Sequence, residues 1–124
     1  MFQFRDNEDL QRMIAAFYEA EKPTAALCHS VCALLEVEPS DGSRLIDGET
    51  ITGFANVEED FGDAAVGQRV QPFRIEDEAR ARGANYVQAG LFKAFAIRDN
   101  QLITGHQQYS GTKVAQLVIE SLGV

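Results

Sequence analysis

Apolar positions in the first twenty residues recur every three or four places, and a short uninterrupted apolar run follows them. The recurrence predicts an amphipathic helix that Asp6 or Asn7 caps and that ends near Lys22-Pro23. The run from Thr24 to Leu27 has no polar alternation, which is typical of a strand covered on both faces. We therefore expect a central strand there. The apolar positions of the helix are Leu10, Met13, Ile14, Phe17 and Tyr18.

Further along the chain, two β-hairpins are expected where short apolar runs flank a turn-forming pair of residues. One spans residues 44–52 around Asp47-Gly48, and the other spans residues 94–104 around Asp99-Asn100. Between the hairpins, residues 61–69 are rich in Gly, Ala and Asp, and this composition predicts a mobile loop.

Helices are predicted over residues 71–83 and after Gly111, with a short strand at residues 85–88. Strands covered by helices make the fold class α/β. A length of 124 residues is enough for one core, so a single domain over residues 1–124 is expected. The last helix has its apolar residues on one face, at Val114, Leu117, Val118 and Leu122.

The junction that follows the first strand carries the candidate chemistry. Cys28 comes directly after the strand, and Ala26 and Ser30 are the small residues that a strand–turn–helix elbow needs on either side of a nucleophile. Such an elbow puts the thiol at a helix N-terminus, where unpaired N–H groups favour the thiolate. Because His29 is adjacent, we predict that Cys28 is a nucleophile; a buried, inert cysteine is the alternative.

Composition excludes several classes of partner. The chain has 19 acidic and 11 basic residues, a net charge of −8 and no basic cluster, so neither nucleic acid nor an anionic membrane surface is expected to bind. No apolar run is long enough to span a bilayer, and the N-terminus lacks the pattern of a signal peptide. Cys28 and Cys32 are too few for a disulfide scaffold. These features predict a cytoplasmic protein.

Taken in order, the motifs of the chain resemble those of the ThiJ/PfpI superfamily over its whole length. The branch they resemble most is the heat-shock chaperone and glyoxalase III type, whose fold is flavodoxin-like and related to class I glutamine amidotransferases. The resemblance implies a sheet covered by helices. The motifs are the elbow, the first hairpin, the stretch Ile51-Thr52-Gly53-Phe54-Ala55-Asn56-Val57-Glu58-Glu59, and then Pro72-Phe73, Arg82-Gly83-Ala84 and Leu102-Ile103-Thr104-Gly105.

By motif alignment, the resemblance implies a catalytic group of Cys28, His29 and Glu59. In these roles Cys28 attacks a carbonyl carbon, His29 moves protons, and Glu59 holds the imidazole in one tautomer. Glu58 and Asp60 are the alternatives to Glu59. Because a helix turns about 100° per residue, we expect one of the three acids to face the site and the others to lie in water.

Two departures from the family pattern lie close to this group. Ser30 and Val31 stand where the family usually has Gly and Pro, and Ser30 is expected still to fit the elbow. His106 lies in a loop that usually lacks histidine, which makes it a candidate second base in the pocket. An exposed loop histidine is the expectation at that position.

The function implied by the resemblance is a cysteine-dependent enzyme of the glyoxalase III or deglycase type that needs no cofactor or metal. Its substrate would be a reactive aldehyde such as methylglyoxal. Three alternatives are open: a stress chaperone or oxidation sensor without catalysis, an amidotransferase or peptidase in which His106 replaces His29, and a metal or redox site at Cys28, His29 and Cys32.

The resemblance also implies that the family's N-terminal half is missing, with several strands of the sheet and an acidic residue that contacts the thiol. An elbow site takes one oxyanion donor from the N–H after the nucleophile, here His29, and the second from another loop. Losing one donor costs about 10²–10³ in rate. We therefore expect a truncated or split member that is nearly inactive alone, and that forms a homodimer or pairs with a chain supplying the missing half.

Overall fold

A computed structural model describes residues 1–123 as helices packed around two small sheets. The α-helices are α1 (Phe2–Arg5), α2 (Glu8–Glu19), α3 (Asn56–Val66), α4 (Ile75–Ala81) and α5 (Gly111–Ser121). The 3-10 helices are the elbow helix (Cys28–Leu34) and a short turn at Gln108–Ser110. The strands are β1 (Thr24–Leu27), β2 (Thr50–Ile51), β3 (Asn85–Tyr86), β4 (Ala96–Asp99) and β5 (Leu102–Gly105). The α/β class is confirmed.

The larger sheet has the strand order β1-β5-β4, with β1 parallel to β5 and β4 antiparallel to it. Within the described residues β1 is therefore an edge strand, and the prediction of a central strand is wrong. Thr24 is buried, but Ala25 is exposed. A run of small apolar residues indicates that a strand packs closely against its neighbours. It does not indicate whether the strand is hydrogen-bonded on both edges.

One of the two predicted hairpins forms. β4 and β5 pair around Asn100, whose φ of 55° is the left-handed conformation that the tight turn requires. The prediction of a hairpin around Asp47-Gly48 is wrong, because β2 pairs in parallel with β3 instead. The residues meant for its first strand, Leu45 and Ile46, are buried in the core and do not pair with β2. Burial of their side chains has overridden the turn signal.

The first predicted helix is confirmed as α2, since the Asn7 side chain accepts a hydrogen bond from the N–H of Leu10 at 2.9 Å. The prediction of a loop over residues 61–69 is wrong for its first part, because α3 continues to Val66. Its Ala and Asp residues are compatible with a helix, and Gly67, with a φ of 85°, ends it in the usual way.

The core lies beneath the elbow helix and holds it in place. It combines apolar side chains from that helix, the loop after it, β2, β3 and α4. Two glycines let the backbone approach closely: a Cβ at Gly53 would lie 3.1 Å from Val31, and one at Gly105 would lie 2.8 Å from the Cβ of Leu27. The largest completely buried apolar side chains are Leu34, Leu35, Ile46, Ile51, Ile75, Leu102 and Ile103.

The helices found in residues 1–123 are all too short or too polar to cross a lipid bilayer.

Candidate active site

Cys28 stands at a strained turn between β1 and the elbow helix. Its φ of 60° is in the left-handed region, which a non-glycine residue occupies at a cost of about 1–2 kcal/mol. The thiol is free and half-buried. The hydroxyl of Ser30 accepts a hydrogen bond from the N–H of Leu27 at 3.2 Å and donates one to the Leu27 carbonyl at 2.5 Å. Ser30 therefore both fits the elbow and ties it to the end of β1.

A chain of polar contacts runs from the thiol to a carboxylate on α3. The Sγ of Cys28 lies 3.8 Å from Nδ1 of His29, and Nε2 of His29 lies 3.0 Å from Oε1 of Glu59. Glu59 is only 5% exposed. A carboxylate oxygen accepts, so Nε2 carries a hydrogen and Nδ1 is left facing the thiol. This arrangement allows the imidazole to take the proton of Cys28.

The environment of His29 favours its charged form. Burial by itself lowers the pKa of His29, but the hydrogen bonds to Cys28 and Glu59 outweigh that effect and raise the pKa to about 9. At neutral pH an imidazolium beside the sulfur stabilises a thiolate electrostatically.

The ring of Phe54 lies flat against His29, a contact that the sequence analysis did not anticipate. The two ring centroids are 4.0 Å apart and the planes differ by 27°. The N–H of Phe54 also donates to the carbonyl of Cys28 at 3.3 Å. The only signal for this role in the sequence is an aromatic residue five places before Glu59.

The expectation that only one of three neighbouring acids leaves the solvent is wrong. Glu58 is 0% exposed and Glu59 is 5% exposed, whereas Asp60 is exposed and pairs with Arg74 at 2.7 Å. The helical rule fails here because the two acids lie in the first turn of α3. The Glu58 side chain folds back to accept the N–H of Ala55 at 3.1 Å, and Glu59 turns toward His29.

The expectation of an exposed His106 is also wrong, since the side chain is 0% exposed. Its Nδ1 lies 2.9 Å from the Gly53 carbonyl and 3.1 Å from Oε1 of Glu58. Its backbone N–H donates to the carbonyl of Phe95 at 2.9 Å, and the ring of Phe95 meets the imidazole edge-on with centroids 6.4 Å apart. The composition of a loop cannot reveal such contacts. His106 and Glu58 thus form a second histidine–glutamate pair behind the first.

Cys32 takes no part in this arrangement. It is buried, and its Sγ hydrogen-bonds to the carbonyl of Met1 at 3.7 Å. Across residues 1–123, no group of three or more His, Cys, Asp or Glu side chains is arranged to hold a metal ion. The alternative of a metal site at Cys28, His29 and Cys32 therefore has no geometric support.

The chain is similar in sequence to known glyoxalases. It is 29% identical over 122 residues to "Glyoxalase 3" of Candida albicans, an alignment that covers 96% of this chain and 52% of that protein. It is also 29% identical over 126 residues to the glutathione-independent glyoxalase HSP31 of Saccharomyces cerevisiae, covering 98% of this chain and 53% of that protein. The chain thus spans about half the length of these curated relatives. No protein-family model matches it.

The chain is also similar to solved structures over about half of their length. The crystal structure of glyoxalase III from Candida albicans superimposes with a TM-score of 0.86 at 28% identity, over 97% of this chain and 52% of that one. The Rapid Encystment Protein of 24 kDa from Francisella tularensis gives 0.90 at 29% identity, over 98% and 52%. A ThiJ/PfpI domain protein from Brachyspira murdochii gives 0.68 at 14% identity, over 98% and 54%, which is a likeness of fold alone.

Proposed function

Because the chain fits the glyoxalase III branch of the ThiJ/PfpI superfamily, we propose that Cys28, His29 and Glu59 form the catalytic site of a cofactor-independent glyoxalase. The substrate class is a small reactive aldehyde, with methylglyoxal as its simplest 2-oxo example. The observation that carries the proposal is the unbroken line of contacts from Sγ to the imidazole, 3.8 Å, and from the imidazole to Glu59, 3.0 Å.

The proposed reaction begins when the Cys28 thiolate attacks the aldehyde carbon. The His29 imidazolium gives its proton to the resulting oxygen, which forms a neutral hemithioacetal. The imidazole then moves the proton of the former aldehyde carbon to the ketone oxygen, which gives an enediol. It next moves the hydroxyl proton of the first carbon to the second carbon, which leaves a 2-hydroxy thioester. Water hydrolyses the thioester to lactate and the free thiol. Methylglyoxal and water account for every atom of the product, so the balance needs no redox partner.

Glu59 contributes to this cycle by its effect on the imidazole. It accepts the hydrogen on Nε2, which directs Nδ1 toward the thiol, and its negative charge stabilises the imidazolium that forms twice per turnover. The backbone N–H of His29 is the oxyanion donor that the elbow provides. A second donor from elsewhere would be worth about 10²–10³ in rate, so we expect slow turnover by this chain alone.

We further propose that a second polypeptide completes the site. Among the described residues, Oε2 of Glu59 is buried without a hydrogen-bond partner. The sheet also ends at β1, and exposed apolar side chains of Met13 and Phe17 lie beside Ala25 in an adjoining groove. An unpaired edge next to an apolar groove favours the addition of a strand. The candidates are a second copy of the chain or a chain supplying the remaining half of the relatives, and light scattering distinguishes them by mass.

The decisive experiment compares Cys28→Ser with Cys32→Ser. We expect the chain and the Cys32→Ser variant to form lactate from methylglyoxal without glutathione, and the Cys28→Ser variant to form none above the blank. Equal lactate formation by the Cys28→Ser variant would eliminate Cys28 as the nucleophile. The free thiols suit a reducing compartment, so we propose that the enzyme works in the cytoplasm.

A non-enzymatic chaperone is the second candidate, and it is supported by the exposed apolar side chains. Phe2, Phe4 and Phe61 are 48%, 56% and 54% exposed. Suppression of client aggregation by the chain and by its Cys28→Ser variant alike, with no lactate formed by either, would favour this candidate. The amidotransferase alternative lacks comparable support, because the polar contacts of His106 are with Gly53 and Glu58 and not with Cys28.

A further inference from the structure

The backbone on both sides of Phe54 is held by buried polar groups. Before it, the Gly53 carbonyl accepts hydrogen bonds from Nδ1 of His106 at 2.9 Å and from the Tyr86 hydroxyl at 2.7 Å. After it, the N–H of Ala55 donates to Oε1 of Glu58 at 3.1 Å. The Gly53 carbonyl can only accept, so the hydrogen of His106 lies on Nδ1. Both neighbours of Phe54 are therefore fixed to one Glu58–His106 pair.

The same pair reaches the ring of Phe54 by a second route. The other carboxylate oxygen of Glu58 accepts the N–H of Phe92 at 2.9 Å. Phe92 has a φ of 52°, an unfavourable conformation for a non-glycine residue, which this hydrogen bond helps to maintain. Its ring meets the ring of Phe54 edge-on, with centroids 6.4 Å apart. Phe54 is thus held through its backbone and against its side chain.

We infer that Glu58 and His106 are positioning residues that hold the Phe54 ring flat against His29. The ring in turn keeps the imidazole between Cys28 and Glu59. The inference rests on the proposed function, because positioning has a purpose only if His29 moves protons. It adds a group that the resemblance did not supply, namely a second histidine–glutamate pair that acts through an aromatic ring.

A purely structural explanation accounts less well for the pair. Both side chains are 0% exposed, and taking two ionisable groups out of water is unfavourable enough that apolar residues of similar volume often stabilise a core equally well. Three of the hydrogen bonds of this pair go to Gly53, Ala55 and Phe92, which are the neighbours and the ring contact of Phe54. The contacts converge on one ring, and that ring touches the imidazole.

The test is a pH titration of His29 in the Glu58→Gln variant. The NMR signals of the imidazole C–H groups report the protonation state of His29. The chain has two histidines, so His29→Asn assigns the signals. The titratable groups that face His29 are Cys28, from its own element, and Glu59, from α3. The amide of the Glu58→Gln variant keeps an oxygen for Ala55 and His106 but turns its amino group toward the Phe92 N–H, which releases that loop.

We expect the His29 midpoint to fall from about 9 toward its ordinary 6.5 in Glu58→Gln, because a loosened imidazole loses its contacts with Cys28 and Glu59. Glu49→Gln is the matched control, since Glu49 is a half-buried carboxylate that accepts a hydrogen bond from the Tyr18 hydroxyl at 2.7 Å. It should leave the titration unchanged. In a Phe54→Leu background, Glu58→Gln should produce no additional shift, because the ring through which it acts is gone.

Two results would overturn the inference. One is a Glu58→Gln variant with a lower Tm and an unshifted His29 midpoint, which would make the pair structural only. The other is a Phe54→Leu variant, a half-buried site that should still fold, in which His29 titrates as before. Neither result depends on turnover. Absence of lactate formation would count against the proposed function alone, and the titration would still decide the positioning role.

Discussion

Replacing Glu59 with glutamine tests the electrostatics of the site through stability. The pKa of His29 is raised from 6.5 to about 9 in the folded chain, despite the opposing effect of burial, by its contacts with Cys28 and Glu59. A shift of this size corresponds to about 3 kcal/mol of preference for the charged imidazole. Since the His29 side chain is 31% exposed, solvent screening reduces the contribution to about 1 kcal/mol.

The sign of the pH dependence follows from the direction of the shift. Because the folded pKa of His29 lies above the unfolded one, its stabilisation is complete below pH 6.5 and disappears as the pH rises through about 9. Glu59→Gln removes the part of this stabilisation that comes from the carboxylate. We therefore expect the variant to be less stable by up to about 1 kcal/mol below pH 6.5 and to approach the parent chain above pH 9.

Urea denaturation at several pH values between about 6 and 10, followed by circular dichroism, measures the difference. His29→Asn is the companion variant, and in that background Glu59→Gln should show no pH-dependent difference. A difference between the parent chain and Glu59→Gln that stays constant across this range would refute the electrostatic argument. It would mean that Glu59 is held by packing and that the imidazole is neutral throughout.

Two further substitutions probe the backbone around the nucleophile. In Gly105→Ala, the new Cβ would lie 2.8 Å from the Cβ of Leu27, so we expect a loss of about 1–3 kcal/mol in urea denaturation, and an unchanged midpoint would contradict the close packing. Cys28→Gly should be more stable than Cys28→Ala by about 1 kcal/mol, because glycine relieves the φ of 60° that alanine retains. A less stable glycine variant would show that the elbow is not strained.

The elbow could be predicted from neighbouring residues, and the members of the candidate site could be predicted from the family resemblance. Small residues on either side of Cys28 indicated a tight turn, and the structure has that turn with a φ of 60°. The grouping of Cys28, His29 and Glu59 came from the ordered motifs, and the structure brings the three side chains together. Their catalytic roles stay predictions until the variants are measured.

The parts that depend on distant segments could not be predicted. The buried side chain of His106 contacts Gly53, Glu58 and Phe95, and no pattern around position 106 encodes these contacts. The position of β1 at an edge depends on which other strands are present, and β2 pairs with β3 across a long stretch of intervening chain. The burial of Glu58 was not predicted from the helical period, because its side chain folds back to accept a hydrogen bond from the N–H of Ala55.

These contacts separate the activation of the thiol from the turnover of a substrate. Within this chain, Cys28, Glu59 and the ring of Phe54 all contact the imidazole of His29. Among the described residues, the buried Oε2 of Glu59 has no hydrogen-bond partner and β1 has an unpaired edge, and these are the features that we propose a second polypeptide would complete. We therefore expect this chain to be alkylated at Cys28 faster than it forms lactate, and we expect a second polypeptide to raise the rate of lactate formation more than the rate of alkylation.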